Sequence, residues 1–280
     1  MTIVQPRETI FSGPVAEQAL AVLANAPVNE DYRHLVLQAD APFTLAQPGQ
    51  FFHLLCPRDQ IDGAAPYFRR PMSCYRADPA QGRLEFLYKL AGRGTQALGG
   101  LRAGDSLNVL GPLGKGFRLH TEWRHILVLG RGVGLATLAP LAEAAAARGI
   151  KVTAILSARR RDLVMSAERF AAAGADVLPV HDEDGSSAPE RIEAYLESLV
   201  RAGREPDSVF SCGSNRLLRL LQDFGRRHGI PGQVAVEQQM ACGLGMCFCC
   251  VRPFGDAAEP EHRRVCWDGP VFDMQETHAC

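Results

Sequence analysis

The chain has 280 residues, a formal net charge of −1 and nine cysteines, enough length for two ordinary domains and a small appendage. The near-neutral charge, with no basic block interleaved with aromatics, argues against nucleic acid as the main partner. No apolar run reaches membrane-spanning length without interruption, and the N-terminus MTIVQPRETIFSGPV lacks the basic-then-apolar pattern of a secretory signal, so a cytoplasmic protein with no membrane partner is expected.

The first part, to about Leu119, reads as all-β. HLVLQA, QFFHLLC, RLEFLYKL and SLNVLG are short, apolar, strand-like runs, separated by the Gly and Pro clusters QPGQ, DGAAP, AGRG, RAGD and GPLGKG. Such spacing predicts a small barrel or sandwich. Within it, Arg70 offers a planar fork suited to phosphate, Ser73 a nearby hydroxyl, and Gly92, Gly94 and Thr95 a turn whose backbone and hydroxyl donors can hold an anion. Taken singly, each reads as an ordinary strand or hairpin-loop residue; together, in this order, they mean more.

The character changes at His125. HILVLG is a continuous apolar strand, GRGVG a glycine-rich turn, and LATLAPLAEAAAARG a helix ending at Gly149. KVTAILS, ADVLPV and SVFSCG read as further buried strands. Helices are expected around RDLVMSAERFAAAG, PERIEAYLESLVRAG and NRLLRLLQDFGRRHG. This alternation predicts a doubly wound parallel sheet. Gly130, Gly132 and Gly134 lie between its first strand and helix, where backbone N–H groups can approach a pyrophosphate. The interval is G-x-G-x-G and not the usual G-x-G-x-x-G, and plain strand–helix packing uses similar turns. Arg131 inside it either lies against phosphates or points to solvent.

The C-terminal stretch MACGLGMCFCC, followed by VRPFGDAAEPEHRRVCWDGPVF, is the most specific signal. Cys242, Cys247, Cys250 and Cys266 have the C-x4-C-x2-C…C spacing of a plant-type [2Fe–2S] site. Gly243 and Gly245 stand where the loop folds tightly and a Cβ would intrude. A structural zinc site more often shows two separated C-x2-C pairs, and an odd cysteine count without a secretory signal disfavours disulfides. Cys249 breaks the spacing and reads as a neighbour. Cys56, Cys74 and Cys280 read as small buried or terminal residues.

Taken in this order, R-P-x-S, G-x-G-T, a glycine-rich nucleotide half and the cysteine quartet ending in CWDGPVF resemble the ferredoxin–NADP reductase superfamily. Within it, the chain is similar to the electron-transfer subunits of NAD-dependent (type B) dihydroorotate dehydrogenase. PGQF at 48–51, RRPMS at 69–73, YKLAGRGT at 88–95, GPLGKGF at 111–117, MACGLGMC at 240–247 and DGPVF at 268–272 carry the resemblance, from about Val15 to Phe272.

The resemblance implies a Greek-key flavin-binding β-barrel over 1–120, a nucleotide-binding α/β domain over 121–235 and a [2Fe–2S] domain over 236–280. It places FAD at Arg70, Pro71, Met72 and Ser73, with further contacts from Leu87, Tyr88 and Lys89 and phosphate contacts from Gly94 and Thr95. Nicotinamide falls near the Cys212–Gly213 turn, where Ser214 replaces a common proline and Arg131 a common glycine. It also implies a flavin-containing catalytic dehydrogenase as partner in a hetero-oligomer, oxidising dihydroorotate. No side chain of this chain is expected to act as nucleophile or general base. Arg159, Arg160 and Arg161 after the second nucleotide strand lean toward NADP, whereas the resemblance leans toward NAD, which is the expectation adopted. The same chassis serving another oxidoreductase or an oxygenase, and a ferredoxin-like carrier without nucleotide oxidation, are the competing readings.

Overall fold

The structure is a computed structural model describing residues 14–58, 63 and 66–279; the expectations for Cys280 and for the first thirteen residues lie outside these. Its first part is one antiparallel sheet of β1 (Ala16–Pro27), β2 (Tyr32–Gln38), β3 (Phe51–Leu54), β4 (Arg70–Ser73), β5 (Arg76–Asp78), β6 (Arg83–Lys89) and β7 (Ser106–Leu113). The seven strands run in the order β4-β3-β7-β1-β2-β6-β5 and curl into a half-barrel. The curl encloses Leu20, Val22, Leu35, Leu37, Phe43, Phe52, Phe86 and Val109, all buried. In β2, Leu35 and Leu37 turn inward while His34 and Val36 stay half-exposed, the period-two pattern of a half-buried strand.

All four strand-like runs read from the sequence are strands. Three others escaped it for identifiable reasons. β1, AEQALAVLANAP, is alanine-rich and weak in β propensity; pairing with β2 on one side and β7 on the other makes it a strand. β4 contains Pro71 and is tolerated because it lies at the sheet edge. β5 has only three residues. One expectation is corrected. The G-x-G-T segment is not a hairpin turn but the start of a short helix, α1 (Arg93–Gly99), because Thr95 Oγ1 accepts from the Ala91 and Gly92 N–H groups and closes the first turn.

From His125 the alternation holds as read: β8 (His125–Arg131), α2 (Gly134–Ala146), β9 (Lys151–Ala158), α3 (Ala167–Ala172), β10 (Asp176–His181), α4 (Pro189–Arg201), β11 (Ser208–Cys212), α5 (Asn215–His228) and β12 (Gly232–Ala235). These strands are parallel, in the order β10-β9-β8-β11-β12. Successive β8 residues face opposite layers. Ile126 and Val128 pack with α2, and Leu127 and Leu129 with α4 and α5, so the sheet is covered on both faces. The remaining elements are the hairpin β13 (Val251–Phe254) and β14 (Glu261–Arg264), the turn of helix α6 (Val265–Asp268), and β15 (Val271–Asp273). β15 adds antiparallel to β12, so the C-terminal segment returns to the nucleotide sheet.

Two seams hold the parts together. At the first, Arg169 of α3 forms a fork onto Glu143 of α2, with both bonds 2.6 Å. The same guanidinium donates to the Tyr75 carbonyl at 2.5 Å and lies 4.3 Å above the Tyr75 ring. Tyr32 and Leu87 of the barrel pack with Ala136 and Met165 alongside. At the second, backbone meets backbone. A Cβ on Gly114 would strike Pro270 and the Gly269 carbonyl, and one on Gly49 would strike Val271 and Phe117. Lys115 N–H donates to the Gly269 carbonyl at 2.6 Å, and Val236 N–H to Pro270 at 2.9 Å. PGQF, GPLGKGF and DGPVF therefore converge on one joint between the barrel, the nucleotide sheet and the C-terminal segment.

Arg169→Ala removes a buried fork and leaves Glu143 with only the longer contact from Arg76 at 3.4 Å. It is expected to cost about 2 kcal/mol, the lower part of the range for charge-assisted bonds because Glu143 reaches solvent. The check is the thermal unfolding midpoint of purified protein, which should fall by several degrees, with Arg169→Lys intermediate; an unchanged midpoint would remove this seam from the account.

Candidate functional site

The four cysteines come from two stretches of chain and fall into two pairs; among the described residues no three of them gather as a single metal-ion site. Cys242 lies against Cys247, and Cys250 against Cys266. Gly243 and Gly245 are both left-handed, with φ of +70° and +77°, and the sequence argument about a Cβ acquires its partners here. At Gly243 it would strike the His53 ring, and at Gly245 the Trp267 side chain. Backbone donors point at sulfur: Leu244 N–H reaches Cys242 Sγ and Cys266 N–H reaches Cys250 Sγ, each at 3.4 Å. Burial pushes the Cys242 thiol up, but N–H groups of Leu244, Cys247 and Met246 outweigh it and bring it down to about 7. The bond from Cys266 brings Cys250 down to about 6, and sharing that proton holds Cys266 up. Two pairs of cysteines, each with one lowered thiol facing backbone N–H groups, are a donor set that fits two irons with two thiolates each.

Arg264 closes the site and was not singled out in the sequence. It donates to the Gly245 carbonyl at 3.1 Å and to Asp268 at 3.2 Å, and stacks between the rings of Phe248 and Trp267. One side chain thus ties the first cysteine loop to the segment carrying Cys266. Cys249 is exposed and lies at the tip with Met246 and Phe248, which are 79% and 63% exposed.

On the half-barrel, the Arg70 guanidinium lies directly over Gly94, where a Cβ would come within 2.6 Å of its Nε. The fork, held by the Phe68 carbonyl at 2.6 Å, and the N-terminal turn of α1 form a cradle shaped for phosphate oxygens. The register pairs Pro71 with His53 and Ser73 with Phe51, so these four share the outer face of the sheet, while Met72 turns toward the barrel core. Tyr88 is buried in that core and donates to Asn25 Oδ1 at 3.0 Å, which leaves only its backbone for a ligand. Leu87 lies in the seam to the nucleotide half, and Lys89 pairs with Asp31 at 3.0 Å beside it.

In the nucleotide half the two glycine turns touch. A Cβ on Gly134 would lie 2.4 Å from the Cys212 carbonyl, and one on Gly213 2.4 Å from the Arg131 carbonyl. Gly132, at φ +55°, sits beneath the Tyr32 hydroxyl, whereas Gly130 faces Leu135 and Leu138 and serves strand–helix packing. Arg131 takes neither orientation considered from the sequence. It is locked to Ser157 Oγ at 2.9 Å and to Asp182 at 3.1 and 2.5 Å, bridging the ends of three strands. Arg160 is likewise engaged, by Glu30 at 2.6 Å and Asp162 at 2.8 Å. A crevice of about 240 Å³ opens beyond these turns, lined by Gly213, Ser214, Ala235 and Glu237. Burial, then the neighbouring Glu237 carboxylate, push the Cys212 thiol up, so it is a neutral, unreactive group. Glu237 lines the crevice with its side chain still open to solvent, and the protein atoms around its carboxyl raise it above the usual carboxylate range. The sequence reading missed it, although an acid directly after the last parallel strand falls where open α/β sheets bind ligands. Cys56 and Cys74 are buried, and burial pushes the Cys74 thiol up to about 12.

A half-barrel with a phosphate cradle, joined to a doubly wound nucleotide sheet, defines a ferredoxin-reductase-like flavoprotein class. The solved structure of an NADH-dependent reduced ferredoxin-NADP oxidoreductase is similar over 95% of this chain and 91% of its own, with a TM-score of 0.77 and 26% identity. The ferredoxin reductase of carbazole 1,9a-dioxygenase shares the fold over 79% of this chain and 66% of its own, with a TM-score of 0.59 and 21% identity. Residues 237–278 match the family model for the iron–sulfur cluster binding domain of dihydroorotate dehydrogenase B. The electron transfer subunit of dihydroorotate dehydrogenase B (NAD(+)) from Bacillus mycoides (strain KBAB4) is 32% identical over 267 residues, 93% of this chain and 98% of that protein. The chain belongs to the family of dihydroorotate dehydrogenase B electron transfer subunits.

Replacing Cys247 with Ser, in protein purified without oxygen, is expected to strip most of the iron from a wild-type content of about two per chain. Cys249→Ser should leave it. Metal analysis decides, and equal dependence on both residues would break the pairing described above.

Proposed function

We infer that the chain passes electrons between NAD and a flavin-containing catalytic dehydrogenase subunit, through FAD and a [2Fe–2S] centre, in the dihydroorotate dehydrogenase step of pyrimidine biosynthesis. The observation that carries this is the seating of the cysteine loop on the outer face of β3, beside the strand that carries Arg70–Ser73. A bound flavin supplies the conversion between two-electron hydride transfer with nicotinamide and one-electron transfer with an iron–sulfur centre.

The residues of this chain divide the remaining work by position. Arg70, Gly94, Thr95 and the first turn of α1 hold the flavin diphosphate, with Pro71 and Ser73 and the backbone of Leu87–Lys89 lining the rest of its site. The touching turns Gly132–Gly134 and Cys212–Gly213 receive the nicotinamide nucleotide, with Arg131 fixed to Asp182 at the margin. Cys242, Cys247, Cys250 and Cys266 hold the cluster. The exposed tip of Met246 and Phe248 supports contact with the partner, because apolar side chains this exposed are the usual content of an interface. None of these groups acts as nucleophile or general base. The buried thiol of Cys212 and the engaged guanidiniums of Arg131 and Arg160 leave positioning and electrostatics as the protein's contribution.

The three parts fall at 1–120, 121–235 and 236–280, and the complex works in the cytoplasm; among the described residues no helix is long and apolar enough to cross a membrane.

Arg70→Ala should weaken FAD binding by about 1.5–3 kcal/mol, roughly ten- to a hundredfold in Kd, since it deletes the fork over Gly94. Flavin content and a binding titration of the apoprotein measure this, and undiminished affinity would move the diphosphate elsewhere. With Arg160 already paired to two carboxylates, NADH is expected to bleach the flavin much faster than NADPH under identical anaerobic conditions. Arg160→Ala should keep that order. Faster reduction by NADPH would overturn the NAD assignment.

A further inference from the structure

His53 is the one buried side chain of the joint whose chemistry the fold does not account for. It is fully buried in β3, and neither Nδ1 nor Nε2 has a hydrogen-bond partner. Whether neutral or charged, an imidazole carries at least one N–H. Leaving that donor unpaired incurs its whole desolvation penalty, and native interiors rarely accept this without a reason. Among the described residues neither ring nitrogen finds an acceptor. Phe51 presents a ring at 5.7 Å, and Arg69 has only donors, one already on the His53 carbonyl at 3.3 Å.

The ring is aimed at the cysteine loop. The position a Gly243 Cβ would occupy lies 2.8 Å from both Cε1 and Nε2, so only glycine lets the loop settle on this ring. Gly243 follows Cys242 directly. By strand register His53 shares its sheet face with Pro71 and Ser73, so the ring lies between the flavin-side strand and the thiol quartet.

We propose that His53 is a positioning residue for the iron–sulfur centre: its ring N–H donates a hydrogen bond to a sulfur of the cluster bound at Cys242, which fixes the loop on the barrel and raises the cluster's reduction potential. The proposal rests on the cluster reading above. The Cys242 thiol next to Gly243 leaves the ring unpaired, and a bound centre would add sulfur acceptors to the same loop. A donor aimed at it favours the more negative, reduced state, the means by which surrounding groups tune such centres.

The test is pulsed electron paramagnetic resonance on the dithionite-reduced full-length protein, purified with its cofactors from cells fed histidine labelled with ¹⁵N in the ring. Wild type should show a ¹⁵N coupling to the cluster spin. His53→Leu should abolish it and lower the cluster midpoint potential in a redox titration. His53→Gln, which keeps an amide donor, should recover part of that potential. A normal cluster signal without ¹⁵N coupling in wild type, or a coupling that survives in His53→Leu, would overturn the proposal while leaving the cluster assignment intact. An unchanged potential in His53→Leu would overturn its tuning role. Wild-type protein with neither iron nor a [2Fe–2S] signal would overturn the cluster reading and this proposal with it. Because wild type alone decides the coupling, poor folding of a variant does not blunt the test.

Discussion

Backbone contact at the joint of Gly49, Gly114 and Gly269–Pro270 is the constraint on which the other features rest. The barrel, the nucleotide sheet and the cysteine segment meet there because the glycines admit the Gly269 carbonyl and the Pro270, Val271 and Phe117 side chains at close range, and β15 then completes the sheet edge beside β12. Direct N–H to carbonyl bonds such as Lys115 to Gly269 require approaches that any Cβ would prevent. Because that joint fixes the start of β15, it also fixes α6 and Cys266 immediately before it. The second half of the thiol quartet is therefore positioned by the same contacts that join the sheets.

Electrostatics at the site follows from how the chain is folded back on itself. Loops that turn left-handed at Gly243 and Gly245 point successive N–H groups inward, and those dipoles lower thiols that burial alone would raise. The contrast with Cys212 and Cys74 is instructive, since both are buried without such a nest and both are held as neutral thiols. Cys212 and Cys74 are buried whereas Cys242 is only half-buried, so the lowered thiol has both the greater access to solvent and the inward-pointing N–H groups.

The nucleotide half shows how a sequence signal is reinterpreted by its neighbours. An arginine in a glycine-rich turn invites a phosphate, and three arginines after the second strand invite a second one. Arg131 and Arg160 are both engaged by carboxylates that lie far off in sequence, Asp182 and Glu30. Both guanidiniums are paired within the protein, while the Arg159 and Arg161 side chains next to Arg160 stay exposed.

What the sequence determined by itself was whatever depends on local periodicity or on covalent spacing. The apolar runs of β2, β6 and β8, the alternation of strand and helix after His125, and the cysteine intervals are properties of neighbouring residues, so they could be read directly. The family resemblance was legible for the same reason, because its motifs are runs of neighbouring residues. What only the tertiary structure decided were the pairings made across long stretches of chain. The alanine-rich β1 becomes a strand through its two neighbours, Tyr88 turns into the core to meet Asn25, Arg264 clamps two loops, and Glu237 reaches the crevice at the carboxyl end of β12. His53 belongs to this second group. In sequence it is one polar residue within an apolar strand, and its unpaired ring becomes meaningful only because Gly243, far along the chain, is folded against it.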